Sequence, residues 1–144
     1  MSGLTKKVKT LSNVYVPGSN INIGGLSDWT DTGLNVTLPQ AGTYLVYYNI
    51  TTTYSHSGTF DNHWVEGRIY NNTASAVVAG TRTYLIAIEN LAPNGDYFPR
   101  TMQLQFVITV NAQTVLKLQA ISHSLASGCI IDKDRTSYGY MSVQ

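Results

Sequence analysis

The chain has 144 residues and a formal net charge of +1, and only 12% of its residues are charged. That length is one domain with room for a sizeable core and no need of a metal or disulfide staple. The near-neutral balance excludes the basic stripe of a nucleic-acid surface, and no apolar run reaches the roughly 18 residues of a membrane span.

In chain order, residues 1–14 read as an N-terminal arm or stalk end. Lys6, Lys7 and Lys9 make a solvated cluster there. Leu4, Val8, Leu11 and Tyr15 keep a spacing of four, three and four, which is too short for a coiled coil. No apolar segment follows the lysines, so a secretory leader is not expected. Release by lysis, as part of a virus particle, is one route by which such a chain reaches the outside of a cell.

Pro17-Gly18-Ser19 is a turn, 20–23 a short alternating strand, and 28–33 a loop of turn formers. Strands are expected at 34–38 and 42–54. In the second of these, Tyr44, Val46, Tyr48, Ile50, Thr52 and Tyr54 share one face, while Leu45, Tyr47, Asn49, Thr51 and Thr53 share the other. Nearly all are aromatic or β-branched, which suits a pleated, half-buried surface. The second face is also partly apolar, so the strand has something to bury on both sides.

A loop over 55–62 precedes a strand near 63–70. Two further strands, 76–79 and 83–89, follow, and then a long loop over 90–100. Met102, Leu104, Phe106, Ile108 and Val110 line one face of a strand that turns at Asn111-Ala112-Gln113. The chain returns over 114–121 with Leu116, Leu118 and Ala120 inward. A loop over 122–137 leads to a last strand at 138–143. Short strands at regular intervals, with no segment of helical period, mean a sandwich or jelly roll.

Three segments carry a family resemblance. Leu38-Pro39-Gln40-Ala41-Gly42-Thr43-Tyr44-Leu45-Val46-Tyr47-Tyr48-Asn49-Ile50 is one, the hairpin from Met102 to Leu118 the second, and Thr136-Ser137-Tyr138-Gly139-Tyr140-Met141-Ser142-Val143 the third. In order and spacing they resemble the trimeric jelly-roll domain of the complement globular head and tumour-necrosis-factor superfamily. Domains of this shape also occur as bacteriophage fibre knobs, tail-needle knobs and capsid decorations. The Asn-Ala-Gln turn departs from the family's usual Lys-Gly-Asp type.

The resemblance implies an all-β, antiparallel ten-stranded jelly-roll sandwich over residues 15–144, forming a homotrimer. It implies that Leu45, Tyr47, Gln103, Gln105, Val107, Tyr138 and Tyr140 face the three-fold axis. Within it, the uncharged, Asn/Thr-rich surface and the lack of a secretory leader favour a bacteriophage virion protein, the knob of a tail fibre, needle or spike that attaches to the host, and no enzymatic role is expected. The alternatives are a capsid decoration or head-fibre protein and a secreted complement-like module. Partners would be two further copies of the chain, other virion proteins through the N-terminal arm, and a host surface glycan or protein. No nucleic acid, membrane insertion or cofactor is expected.

Catalytic signatures are sparse. No Gly-x-Ser-x-Gly elbow or phosphate-cradling glycine loop occurs. Cys129 lies in a small apolar stretch and reads as a buried hydrophobe. Asp28 with Asp31, and Asp132 with Asp134, are either turn and cap chemistry or calcium donors. His56 and His63 flank Asp61 in no zinc spacing. Binding chemistry is richer. Tyr54, His56, Asp61, His63 and Trp64 combine flat rings with short polar groups, and Asp96 and Tyr97 do the same in a second loop. Such residues anchor interfaces and stack on sugars.

Overall fold

The computed structural model describes residues 10–55, 63–88, 97–123 and 128–143. Eleven strands occur among them: β1 (Ser12–Tyr15), β2 (Ile21–Asn22), β3 (Thr30–Leu38), β4 (Gly42–Ser55), β5 (His63–Asn71), β6 (Ala76–Val77), β7 (Thr83–Ile88), β8 (Tyr97–Val110), β9 (Thr114–Ser122), β10 (Cys129–Ile131) and β11 (Ser137–Ser142). All pairings are antiparallel, and they build two sheets.

In the first sheet β4 pairs along its whole length with β8, from Gly42↔Val110 to Ser55↔Tyr97. Its other side takes β11 and then β10, and these in turn carry β1 and β2. In the second sheet β3 pairs β9, β9 pairs β5, and the far side of β5 takes β7 and then β6. The result is a face-to-face jelly roll of four columns over four, the architecture expected from the sequence.

Alternation decides what is buried. Tyr44, Val46, Tyr48 and Ile50 of β4 point between the sheets and meet Val36, Leu38, Leu116, Leu118 and Ile69 of the second sheet. The Tyr48 hydroxyl donates to the Leu34 carbonyl at 3.1 Å. Leu34 sits where the β3–β9 register slips between Asp31 and Asn35, so its carbonyl needs a partner from outside the ladder.

The strands run further than expected at four places. β3 begins at Thr30, because Thr30 and Asp31 already pair with Ala120 and Gln119. β8 begins at Tyr97, because the long β4 offers a ladder that far. Pro99 is accommodated since β8 is an edge strand, paired on one side only among the described residues. β10 falls in the apolar middle of the expected 122–137 loop. Residues 12–14, read as part of the arm, are sheet: Val14 pairs Gly139 and Tyr15 pairs Tyr138. Leu4, Val8 and the three N-terminal lysines lie outside the described residues.

Candidate functional site

The two outer sheet faces differ sharply in chemistry. Strands β1, β2, β4, β8, β10 and β11 together carry a single charged residue, Arg100. On their outer face the register sets Leu45 beside Val107 and Met141, Tyr47 beside Gln105 and Gly139, and Asn49 beside Gln103 and Ser137. Val14 and Val107 are each 62% exposed, and Met141 and Val143 are nearly half exposed. Thr43 and Thr109 share a hydroxyl hydrogen bond of 2.8 Å across the same face. The outcome is a neutral surface of amides, hydroxyls and exposed aliphatic groups, bounded by the edge of β8 that is unpaired among the described residues.

Leu45, Tyr47, Gln103, Gln105 and Val107 therefore lie on one outer face. Tyr138 and Tyr140 do not. Tyr138 pairs with Tyr48 and Tyr140 with Val46, and cross-strand partners share a face, so both rings point into the sandwich. Tyr138 stacks between Tyr48 and Tyr15 at centroid distances of 5.4 and 5.3 Å, and Tyr140 meets Tyr44 edge-on at 5.5 Å. Burial pushes both phenols above their ordinary value. Their outward neighbours are Ser137, Gly139 and Met141. A Cβ on Gly139 would collide with the Asn13 carbonyl and come within 2.9 Å of the Tyr47 hydroxyl, so the Tyr47 side chain lies across the sheet over this glycine.

The outer face of the second sheet holds both tryptophans and most of the described ion pairs. β5 presents Trp64, Glu66, Arg68 and Tyr70 alternately on it. A bulge in β7 opposite the step from Val65 to Glu66 of β5 turns Leu85 and Ile86 inward and sets Tyr84 opposite Glu66. The Glu66 side chain is only 13% exposed; one of its oxygens accepts from Arg82 Nη2 at 2.7 Å and meets His123 Nε2 at 2.7 Å. The hydrogen bond from Arg82, and then that of His123, hold the Glu66 carboxyl below its ordinary value against the opposing effect of desolvation. His123 is placed by its backbone N–H, which donates to the Trp64 carbonyl at 3.0 Å, and its ring stacks on Trp64 at 5.6 Å.

Trp29 reaches this face from the loop before β3. That loop is tied to the end of β9 by reciprocal bonds between Leu26 and Ser122. The Arg68 guanidinium lies 4.1 Å from the Trp29 ring centroid and that of Arg82 lies 5.6 Å away. Arg68 Nε donates to Gln119 Oε1 at 2.9 Å, while Lys117 pairs with Asp31 at 3.2 Å. Beside Trp64 opens a hollow of about 260 Å³ lined by His63, Trp64, Tyr84, Ala87 and Ile88.

Of the residues expected to bind a ligand, His63 and Trp64 thus line one hollow. Tyr54 does not belong with them: it falls on the inward parity of β4, is 3% exposed, and packs in the core beside the His63 ring. His56, Asp61 and Asp96 lie outside the described residues, as does the side chain of Tyr97. Trp29, Glu66, Arg68, Arg82, Tyr84 and His123 were not anticipated; their one sequence signal was the alternation Trp64-x-Glu66-x-Arg68.

The aspartate pairs do turn work. Asp31 accepts from the Gly33 N–H, and Asp132 accepts from the Asp134 N–H and pairs with Arg135. Cys129 is buried, and desolvation pushes its thiol up to about 12.

No family model and no curated protein sequence matches the chain. Solved structures match in fold. A chain of T=1 particles derived from infectious bursal virus superposes with a TM-score of 0.59 at 11% identity, covering 99% of this chain and 36% of that one. A chain of infectious bursal disease virus, Gx strain, gives 0.55 at 11% identity, covering 99% and 37%. Eiger TNF from S. frugiperda gives 0.49 at 13% identity, covering 94% and 93%. The chain spans little more than a third of the two viral chains, and at these identities the likeness is one of fold.

Proposed function

We propose that the chain is a non-enzymatic structural protein of a bacteriophage virion, a homotrimeric knob of a tail fibre, needle or spike that contacts the host surface. The observation that carries the assembly half is the outer face of the first sheet. An uncharged face with exposed Val14, Val107 and Met141 around a half-buried Leu45, ending at a strand edge unpaired among the described residues, is a surface that association covers. Its Thr and Gln side chains keep a protomer soluble until it is covered. The attachment half is supported by the second outer face, with its tryptophans and ion pairs around an open hollow. A virion setting is supported by the fold shared with proteins of two viral particles.

The non-enzymatic reading is supported by what the reactive groups do. Cys129 is held as a thiol, and the carboxylates of Glu66, Asp31 and Asp132 are engaged in ion pairs. Decoration of the capsid is the second reading, favoured by the fold's presence in viral shells. Sedimentation is the first test. A species of three times 15.8 kDa is expected, and a monomer at micromolar concentration would overturn the assembly. Gold labelling of particles then separates the two roles, since label on the tail tip supports the knob and label over the capsid supports decoration.

A further inference from the structure

Among the described residues, the face around Trp64 and Trp29 holds one cation more than its carboxylates match. Glu66 is already matched by Arg82 and His123, and Lys117 by Asp31. Arg68 spends its Nε on the neutral Gln119, and its terminal amino groups have no hydrogen-bond partner among the described residues. Arg68 as a residue is partly buried, its guanidinium lies over the Trp29 ring, and desolvation together with nearby Arg82 lowers its affinity for its own proton. A planar fork of donors in that position is completed by a carboxylate.

Trp64 and Arg68 share the outer face of β5 four residues apart, which at about 3.3 Å per residue is about 13 Å. Between them lies the Glu66–Arg82 pair, a donor and acceptor set for hydroxyl groups. At the Trp64 end the hollow of about 260 Å³ is walled by the Trp64 and Tyr84 rings, with Tyr84 57% exposed. A ring-stacking surface, a hydroxyl-binding middle and a cation with no carboxylate partner among the described residues thus follow in a line, over the length of a few sugar rings.

We infer that this face binds a carboxylate-bearing oligosaccharide, with a sugar ring on Trp64 and Tyr84 and a carboxylate on Arg68. This deepens the attachment half of the reading above and does not depend on the trimer. Aromatic faces take the apolar side of a pyranose, while a guanidinium that lacks a carboxylate partner selects an acidic sugar over a neutral one.

The test is a titration of the full chain with trigalacturonate and with its methyl triester, followed by tryptophan fluorescence and calorimetry. The acid is expected to bind in the millimolar range and the ester about tenfold or more weaker. Arg68→Gln should erase the preference for the acid. Trp64→Ala should weaken both ligands. Tyr84→Ala, at an exposed position away from the core, should weaken both as well, even if Trp64→Ala disturbs folding. Equal binding of acid and ester would overturn the inference, as would a preference that survives Arg68→Gln, or no binding at millimolar concentration. Triglutamate binding as tightly as trigalacturonate, without need of Trp64 or Tyr84, would replace the sugar by an acidic peptide and also overturn it. Sedimentation of the same samples keeps the two proposals apart, since a trimer that binds no sugar sinks only this one.

Discussion

Val107→Lys is the sharpest perturbation of the proposed assembly face. Val107 sits on the outer side of β8 opposite Leu45 and is 62% exposed in the protomer. Fully burying a side chain of this class stabilises by about 1.5–3 kcal/mol, so closing the open part of Val107 against a neighbour is worth about 1–2 kcal/mol. A lysine forfeits that gain and brings an ammonium into a face with no carboxylate to receive it, at several kcal/mol more. Together the loss is at least about 4 kcal/mol per contact, or about a thousandfold in association. The protomer itself should hardly notice, because an exposed edge-strand position tolerates lysine within about 0.5 kcal/mol. Sedimentation velocity across a concentration series, with urea unfolding of the dissociated variant beside it, reads both quantities. A variant that sediments like the parent at micromolar concentration would refute the placing of Val107 in the interface, and with it the use of this face.

Three further outcomes follow from local geometry. Gly139→Ala should destabilise the protomer by about 1–3 kcal/mol in urea, because the new methyl meets the Asn13 carbonyl and the Tyr47 hydroxyl; an unchanged midpoint would mean that β1 does not seat there. Tyr48→Phe should cost about 1–2 kcal/mol, since it strands the buried Leu34 carbonyl that the register slip leaves outside the ladder. Glu66 has its folded value lowered, so its contribution to stability is complete above the unfolded carboxylate's value near 4.5 and fades as pH falls through the folded one. Glu66→Gln should flatten that acid limb of thermal stability, and an identical limb in the variant would show that the Arg82 and His123 contacts do not bear on folding.

The sandwich was legible where alternation is strong. β4, β8 and β9 carry residues whose period is two over many positions, and burial of one face fixes their register. β10 was hidden because three residues, Cys129 to Ile131, show no period. β1 was hidden because Ser12 to Tyr15 have no apolar alternation and gain their place only from the β11 backbone. The misplacing of Tyr138 and Tyr140 is instructive. Their own neighbours, Ser137, Gly139 and Met141, are too small or flexible to form the inner side of a sandwich, so local parity already set the two large rings inward. The resemblance to a family suggested the opposite face and outweighed it. Trp64 was legible as an aromatic ring on an alternating strand, but the groups that share its face come from the loop before β3, from the residue before β7 and from the residue after β9. No spacing along the chain connects Trp29, Arg82 and His123; only the order of columns in the second sheet does.

That order also has a consequence for binding strength. The two outer faces lie on opposite sides of one sandwich, so an assembly that covers the neutral face turns the Trp64–Arg68 face outward on every copy. A single millimolar site is too weak to hold a particle on a surface, but three linked sites raise apparent affinity by about 10²–10⁴ where their spacing allows joint engagement. Val107→Lys should therefore leave the affinity for trigalacturonate unchanged and yet abolish retention on a surface coated with polygalacturonate. Surface plasmon resonance against the polymer, beside calorimetry against the trisaccharide, measures the two quantities separately. Equal retention of parent and variant would mean that the faces act independently and that assembly serves only to build the particle. Loss of both would mean that Val107 shapes the sugar site, which the opposite placing of the two sheets forbids.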